Sequence, residues 1–138
     1  MEDLEQTTTL SIPPHARPAR VLVIEDDRHV RSLLCDALRT WGYQVDAAGD
    51  GREGLARFDP EHHDMVLTDF AMPELSGVEV VAGVRDRDRE VPVIMLTGSI
   101  RNLEYEGRRL GFQVLYKPLD IDSLRQVVSD SLFSPRQF

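Results

Sequence analysis

Four short, uninterrupted apolar runs restrict the folds open to this chain. They are Val21 to Ile24, Met65 to Leu67, Val93 to Leu96 and Val114 to Tyr116. Apolar runs of this length, without polar alternation, are typical of strands buried on both faces of a parallel sheet. A fifth segment, Gln44 to Ala48, alternates more and is predicted to be an edge strand.

Helical patterns occupy the gaps between these strands. The first ends at Gly42, a residue suited to positive φ after a helix C-terminus. Asp50 begins an acidic version of the capping box with Glu53, and Asp120 is predicted to cap the last helix. The predicted helices cover 30–41, 51–58, 78–87, 100–110 and 121–132. Five strand and helix pairs therefore alternate, which predicts an α/β fold with a parallel sheet, right-handed crossovers and helices on both faces.

Length and charge restrict the class of protein further. The 138 residues suit one domain, predicted at 20–133 between a flexible tail or linker at 1–19 and a short tail at 134–138. The chain has 16 Lys and Arg against 24 Asp and Glu, a formal net charge of −8. Such a surface repels nucleic acid and anionic membranes, so neither is expected as a partner.

Targeting and redox features point the same way. No apolar stretch reaches the roughly 20 residues that span a bilayer. The acidic N-terminus lacks the positive region of a signal peptide, so a cytoplasmic location is expected. Cys35 is the single cysteine, which excludes an internal disulfide and a thiolate zinc cluster.

Polar side chains follow the apolar runs at the points where the strands end. They are Glu25, Asp26, Asp69, Thr97 and Lys117. Because the carboxyl ends of parallel strands share one edge of the sheet, these side chains are predicted to lie together. Three close carboxylates repel one another unless a cation lies among them. Oxygen ligands without His or Cys favour Mg²⁺ as that cation.

This set of residues can perform phosphoryl transfer. With a metal ion present, the Asp69 carboxylate can attack phosphorus and form an aspartyl phosphate. Lys117 supplies a point charge for a phosphoryl oxygen, and the Thr97 hydroxyl supplies a hydrogen bond to another. A purely structural salt-bridge network around Lys117 is the alternative explanation. Asp27 is predicted to cap the first helix rather than to bind the metal ion.

Four motifs surround the predicted site. They are VLVIEDD at 21–27, DMVLTDFAMPELSG at 64–77, PVIMLTG at 92–98 and LYKPL at 115–119. In this order and spacing they resemble response-regulator receiver domains of two-component signalling, of the stand-alone or hybrid-kinase type. The resemblance extends over about 20–132. It implies a single doubly wound (βα)5 flavodoxin-like parallel sheet with strand order 2-1-3-4-5.

The resemblance also implies a role for each residue around the metal ion. Asp69 matches the phosphoacceptor and Asp26 the direct Mg²⁺ ligand. Glu25 matches the acidic neighbour that holds the ion through water, and the backbone carbonyl of Ala71 would complete the ligands. Thr97 matches the hydroxyl that turns toward the phosphoryl group. The implied phosphodonor is a histidine kinase or a histidine phosphotransfer protein.

The segment before Lys117 combines agreement with a departure from the family. Lys117 matches the lysine that bonds the phosphoryl group, and its peptide bond to Pro118 is cis in similar domains. Val114, however, occupies the position that commonly holds an aromatic switch residue. Phe112 and Tyr116 share the strand parity of Val114, so either could substitute for it, or both could simply pack.

Three hypotheses for function remain open from the sequence. The first is a signalling switch, with self-phosphorylation and autodephosphorylation chemistry but without metabolic enzyme activity. The second is an unrelated aspartyl-phosphate enzyme, although such enzymes place a second acid where this chain has Ala71. The third is a phosphorylation-independent interaction module on the same fold.

The output of the switch is expected to pass to another molecule. Only Ser134 to Phe138 follow the last predicted helix. A downstream effector protein, a homodimer or a domain beyond this sequence would then receive the signal, through the face formed by the fourth helix, fifth strand and fifth helix. That face would include Arg101, Glu104, Arg108 and Arg109. The mixed-charge run 85–90 is predicted to be a solvated helix end and loop.

Overall fold

The computed structural model describes residues 17–98 and 102–133, and five strands alternate with five helices over these ranges. The strands are β1 (Arg20–Ile24), β2 (Gln44–Ala48), β3 (Met65–Asp69), β4 (Val93–Thr97) and β5 (Gln113–Tyr116). The helices are α1 (Arg28–Thr40), α2 (Gly51–Arg57), α3 (Gly77–Arg87), α4 (Glu104–Leu110) and α5 (Ile121–Phe133). The predicted tail at 134–138 and most of the predicted tail at 1–19 lie outside the described residues.

The strands form one parallel sheet in the order β2-β1-β3-β4-β5, which confirms the predicted order. From β1 the chain crosses to β2 on one side of the sheet, and it then returns past β1 to β3 on the other side. This reversal opens a crevice beyond the carboxyl ends of β1 and β3. The crevice therefore lies at the edge of the sheet where the sequence motifs predicted the polar side chains.

Alternation along the strands divides the core between the two faces of the sheet. In β1, Val21 and Val23 pack with α1 and α5, whereas Leu22 and Ile24 pack beneath α2 and α3. Every residue of β3 and β4 is buried, as their continuous apolar runs predicted. The hydrophobic effect on both faces holds these two central strands in place.

The last apolar run was only partly interpreted correctly. The predicted strand order placed β5 at an edge of the sheet, and it lies there beside β4 alone, but its apolar run was also predicted to be buried on both faces. Within it, Val114 and Leu115 are half-buried and the Tyr116 side chain is 58 % exposed. The predicted edge strand, β2, is indeed at the opposite edge. A three-residue apolar run is too short to show that a strand is buried on both faces.

Local capping explains where the helices begin and end. The Asp27 carboxylate accepts the Val30 N–H at 3.1 Å, and the Asp50 carboxylate accepts the Glu53 N–H at 2.7 Å. Gly42 has a φ of +97°, which confirms its predicted role after α1. The reciprocal bond of the predicted acidic capping box differs, because Glu53 accepts from the N–H of Gly49 rather than of Asp50.

Two further helix predictions need comment. The fourth helix was predicted from residue 100, but α4 begins at Glu104, and residues 99–101 lie outside the described ranges. Leu103 precedes it with its side chain in the core, so its apolar character reflects packing rather than helical periodicity. Asp120 precedes α5 as predicted, and its carboxylate accepts the hydroxyl of Ser123 at 2.8 Å.

Candidate functional site

Backbone hydrogen bonds extend the sheet to the residues that carry the site. The N–H of Glu25 donates to the Ala48 carbonyl at 3.1 Å, one residue beyond β1. The N–H of Lys117 donates to the Thr97 carbonyl at 2.8 Å, one residue beyond β5. Asp69 and Thr97 are themselves the last residues of β3 and β4. Four strands therefore deliver functional groups to one edge, as the sequence predicted.

Three carboxylates converge at this edge. Glu25, Asp26 and Asp69 each offer an oxygen, and these oxygens lie within 4.8 Å of one another. We call these three residues the acidic cluster. Glu25 is 1 % exposed and Asp69 is 5 % exposed, whereas Asp26 is open to solvent. Over the described residues, this is the one group of three or more acidic, His or Cys side chains close enough to share a metal ion.

Lys117 provides the cation beside the acidic cluster. Its Nζ lies 2.9 Å from Oδ1 of Asp69 and 3.7 Å from Oε1 of Glu25. The shorter distance is that of a charge-assisted hydrogen bond, and the longer one reflects electrostatic attraction only. One lysine therefore faces three carboxylates, and the local charge remains negative.

Burial and the neighbouring charges shift the pKa values of Glu25, Asp69 and Lys117. Burial, and then the charge of Asp69, raise the pKa of Glu25 from 4.5 to about 7, although the N–H of Asp27 and the charge of Lys117 oppose the rise. Burial also raises the pKa of Asp69, against the opposing hydrogen bond from Lys117. Burial lowers the pKa of Lys117, but its contact with Asp69 outweighs burial and leaves that pKa raised.

A buried oxygen of Glu25 provides a specific test for a metal site. Its Oε2 accepts the N–H of Asp27 at 3.1 Å, whereas its Oε1 is buried without a hydrogen-bond partner. A buried carboxylate oxygen without a hydrogen-bond partner costs desolvation free energy. A divalent cation at this oxygen, or a water molecule bound to such a cation, removes that cost. The three residues of the acidic cluster offer only oxygen ligands, and Asp26 is exposed to solvent. This arrangement fits Mg²⁺, which retains several of its water molecules when bound.

The other residues named from the sequence fall into two groups. Thr97 is 1 % exposed at the end of β4, beside the acidic cluster in the sheet. Ala71 lies two residues after Asp69 and is exposed, and its carbonyl as a metal ligand stays a prediction. Asp27 lies outside the acidic cluster and caps α1, as expected.

The segment around Val114 places its aromatic residues in different environments. Phe112 is 7 % exposed and belongs to the core beneath α3, and Val114 packs against the same core. Tyr116 is paired with Thr97 in the sheet register and is 58 % exposed. The peptide bond between Lys117 and Pro118 is cis, as the resemblance implied. Of the two aromatic residues, Tyr116 is the one with a side chain at the surface.

Gly77 shapes the site although the sequence reasoning assigned it no role. Its N–H donates to the Phe70 carbonyl at 2.8 Å, which closes the loop after Asp69. A Cβ at Gly77 would overlap the carbonyl oxygen of Asp69 and lie 2.5 Å from Sδ of Met95. The signal was present in the sequence, since Gly77 ends the longest motif and follows Ser76, which forms a capping box with Glu79.

An apolar groove adjoins the site on the α1 and α5 side of the sheet. It has a volume of about 740 Å³, and its walls include Leu33, Trp41, Pro118 and Ile121 together with the stem of Lys117. Leu33 is 67 % exposed and Ile121 is 51 % exposed. Apolar surface therefore continues from the edge that carries the acidic cluster along α1.

Comparisons with known proteins agree with this geometry. The family model described as the response regulator receiver domain matches residues 21–129. Regulatory protein AtoC of Escherichia coli K12 is 33 % identical over 115 residues, which cover 82 % of this chain and 25 % of AtoC. Sensor protein EvgS of the same organism is 33 % identical over 111 residues, which cover 79 % of this chain and 9 % of EvgS. The chain thus spans a quarter or less of these two relatives.

Solved structures extend the agreement to the fold. The chemotaxis protein CheY4 of Vibrio cholerae has a TM-score of 0.78 and 31 % identity, and the match covers 83 % of this chain and 99 % of CheY4. The response regulator TrrA of Thermotoga maritima, solved with Mg²⁺ and BeF, has a TM-score of 0.75 and 30 % identity over 83 % of this chain and 99 % of TrrA. No helix in the described part of this chain is long and apolar enough to cross a membrane. The chain belongs to the response-regulator receiver domains of two-component signalling.

Proposed function

We propose that this receiver domain accepts a phosphoryl group on Asp69 in a Mg²⁺-dependent reaction and thereby changes the surface that it presents to a partner. The observation that carries the proposal is the contact of 2.9 Å between Lys117 Nζ and Asp69 Oδ1 inside the acidic cluster. A carboxylate at a strand end, one lysine and two further acids form the set that aspartyl phosphorylation requires.

The chemistry of the step follows from the ionised Asp69. A carboxylate oxygen forms a bond to phosphorus, and the bond from phosphorus to the donor breaks. The leaving group is the imidazole of a phosphohistidine or the carboxylate of an acyl phosphate. The ionised nucleophile has no proton to lose, so no general base is needed. The contact with Lys117 opposes the rise of the Asp69 pKa and therefore favours this reactive form.

Glu25 and Asp26 would hold the metal ion together with Asp69 and, by resemblance, the Ala71 carbonyl. When bound, Mg²⁺ would neutralise charge on the phosphoryl oxygens and on the cluster. Lys117 now contacts the negative charge of the Asp69 carboxylate. After Asp69 has reacted, the negative charge lies on the phosphoryl oxygens, so Lys117 would bind one of them. Thr97 lies at the end of the adjacent strand and would donate its hydroxyl to another phosphoryl oxygen.

Two surfaces would serve the partners of this switch. The apolar groove beside Lys117 would receive the histidine kinase or phosphotransfer protein, because it adjoins the reacting carboxylate. The face of α4, β5 and α5 would receive the effector or a second copy of the chain. Exposed Tyr105, Tyr116 and Phe133 lie on these three elements and offer it aromatic contacts. We propose no metabolic reaction, because the phosphorylated product is the protein itself.

Intact mass measurement tests the proposal directly. The protein would be incubated with a small acyl phosphate, with Mg²⁺ or with EDTA. The wild type is expected to gain one phosphoryl group only with Mg²⁺, and Asp69→Asn is expected to gain none. Asp27→Asn is the matched control, because its carboxylate caps α1 outside the acidic cluster and asparagine also caps helices. It should be phosphorylated like the wild type.

The alternatives predict different results. A phosphorylation-independent interaction module would gain no mass under any condition while it remained folded. A structural salt-bridge network around Lys117 would likewise show no adduct, and Asp69→Asn would then lower the melting temperature as its main effect. An adduct on Asp69→Asn equal to that on the wild type would place the phosphoacceptor elsewhere and overturn the assignment.

A further inference from the structure

Five arginines gather around a cleft between the C-terminal ends of α3 and α4. The cleft has a volume of about 760 Å³ and is lined by Arg85, Arg87, Arg89, Arg108 and Arg109, with Asp86, Leu110 and Gly111. We call these eight residues the arginine cleft. Five positive charges and one negative charge give it a formal charge of +4, in a chain whose net charge is −8. The fold thus produces a local positive charge that the net charge of the chain does not indicate.

The sequence pattern predicted no such concentration. The run 85–90 alternates arginine with acid, and its mixed charges predicted a solvated helix end and loop. In the fold, Asp88 turns its carboxylate into the loop, where Oδ1 accepts the N–H groups of Glu90 and Val91 at 2.9 and 3.0 Å. Neither Asp88 nor Glu90 lines the cleft, whereas all three arginines of the run do.

Arg85 forms a rigid wall of this cleft. Its Nε and Nη2 donate to the carbonyls of Leu110 and Gly111 at 2.6 and 2.8 Å, and its Nη1 donates to the Asp88 carbonyl at 3.1 Å. These bonds join the end of α3 to the turn after α4. Gly111 has a φ of +81°, which favours glycine, and a Cβ there would make only ordinary contact with Nη2 of Arg85 at 3.6 Å. The guanidinium is therefore positioned before any ligand arrives.

Two other arginines are available for a ligand. Arginines often end helices because they interact with the last carbonyls, and Arg85 does so. The side chains of Arg89 and Arg109 make no hydrogen bond or ion pair within the described ranges, so this explanation does not account for them. Arg108 is paired with Glu104 at 2.8 Å on the exposed surface, where such a pair is easily exchanged.

We propose that the arginine cleft binds a small molecule that carries two or more linked phosphate groups. Guanidinium groups bind phosphate oxygens through two parallel hydrogen bonds, and arginine is favoured over lysine for this contact. A concave site of about 760 Å³ lies within the range of small-molecule sites and exceeds the needs of one phosphate. Arg89 and Arg109 come from different elements and would each bind one phosphate group.

The cleft is separate from the phosphorylation site. Its arginines lie at or just after the C-terminal ends of α3 and α4, whereas the acidic cluster lies at the carboxyl edge of the strands, where those helices begin. Ligand binding there would act on the α3 to α4 framework, which Arg85 joins through its three carbonyl contacts. The proposal therefore does not depend on phosphoryl transfer at Asp69.

Calorimetric titration of the full chain with inorganic tripolyphosphate tests the proposal. The buffer contains EDTA, so that no metal ion links the phosphates to the acidic cluster. Saturable binding is expected for the wild type and for Asp69→Asn. The double variant Arg89→Gln/Arg109→Gln should bind at least about tenfold more weakly, since each lost contact is a charge-assisted hydrogen bond. Orthophosphate should bind less tightly than tripolyphosphate.

A matched control separates a site from general charge attraction. Arg39→Gln/Arg125→Gln removes two exposed arginines from α1 and α5 and changes the net charge equally. Its affinity should stay within about twofold of the wild type, since distant exposed charges are screened. Equal weakening in both double variants, or no saturable binding to the folded wild type, would overturn the proposal. So would tighter binding of a glutamate decapeptide, which would identify an acidic protein segment as the ligand.

Discussion

The acidic cluster and the arginine cleft are opposite in charge and differ in burial, and the second difference matters more. Glu25 and Asp69 are 1 % and 5 % exposed, so their charges act on one another through protein rather than water. The pKa values of Glu25, Asp69 and Lys117 all shift in consequence. Arg89 and Arg109 are exposed, and water and salt screen them.

This contrast indicates what each region can do. A buried cluster with too few cations stores electrostatic free energy, which a metal ion or a transferred phosphoryl group can redistribute. An exposed set of like charges stores little, but it attracts oppositely charged ligands from a distance. Reaction is therefore expected at the first region, and binding at the second.

The largest expected effect concerns how closely the backbone is packed around a glycine in each region. Gly77→Ala should lower the free energy of unfolding by about 2 kcal/mol, because its Cβ would overlap the Asp69 carbonyl oxygen, which belongs to the backbone. Gly111→Ala should cost only about 1 kcal/mol, since its penalty comes from positive φ alone. Urea denaturation measures both changes.

Gly98→Ala serves as the control for the first substitution. It lies at the same edge of the sheet, but among the described residues its Cβ would meet only Cβ of Lys117 at 3.9 Å. Its cost should stay below about 0.5 kcal/mol. If Gly77→Ala cost no more than Gly98→Ala, the acidic cluster would be less rigidly supported than the packing indicates.

The second prediction uses pH to expose the stored electrostatic energy. The folded pKa of Glu25 is about 7, above its ordinary 4.5, so the folded state binds more protons than the unfolded state between these values. Stability of the metal-free protein should therefore fall as pH rises through this window, by about 5 °C in melting temperature. The raised pKa of Asp69 acts in the same direction.

Two comparisons check the source of this slope. Glu25→Gln should flatten it, because the glutamine cannot ionise, whereas Asp86→Asn in the arginine cleft should leave it unchanged. Mg²⁺ should raise the melting temperature most at the upper end of the window, since it binds the ionised folded cluster. An unaltered slope in Glu25→Gln would show that other groups cause it.

The sequence predicted the acidic cluster well for a physical reason. Each of Glu25, Asp69 and Thr97 follows a continuous apolar run, and parallel strands bring such positions to one edge whatever their spacing along the chain. The burial of β3 and β4 follows from the same signal, whereas the strand order was implied by the resemblance to receiver domains. Local patterns were therefore sufficient for this region.

The arginine cleft could not be predicted in the same way. Its two parts, 85–89 and 108–111, come together only when α3 and α4 pack side by side. The direction of each side chain decides the charge of the cleft, and hydrogen bonds that a charge pattern does not contain direct the Asp88 carboxylate into the loop. The partial exposure of β5 was missed for a related reason, since the burial of an edge strand depends on what the rest of the fold packs against it.

The third prediction compares the removal of one cation from each region. Lys117→Ala should bind Mg²⁺ roughly fivefold more tightly, because a positive charge 2.9 Å from Asp69 competes with the ion, and about 1 kcal/mol of repulsion is lost. Arg89→Ala should bind Mg²⁺ as the wild type does, since it is exposed and far from the cluster in the fold. Calorimetric titration with Mg²⁺ measures both affinities.

Lys117→Ala should also uncouple phosphorylation from the change in surface. If Lys117 binds the phosphoryl group, its loss should weaken the phosphorylation-induced change in amide chemical shifts on α4, β5 and α5 more than it weakens folding. Weaker Mg²⁺ binding in this variant would contradict the competition described above. An unchanged response to phosphorylation would contradict the role of the lysine.

The smallest expected effect tests whether the charges near the arginine cleft are as weak as their exposure indicates. Glu104 and Arg108 are four residues apart on α4, with Oε2 and Nη1 at 2.8 Å and side chains 66 % and 70 % exposed. Glu104→Gln should cost at most about 0.5 kcal/mol, and less in high salt. Glu53→Gln in α2 should cost more, although Glu53 forms an equally spaced pair with Arg57, because its carboxylate also accepts the Gly49 N–H at 2.7 Å. Urea denaturation at low and high salt measures both costs, and an equal, salt-resistant cost would mean that exposure does not govern these charges.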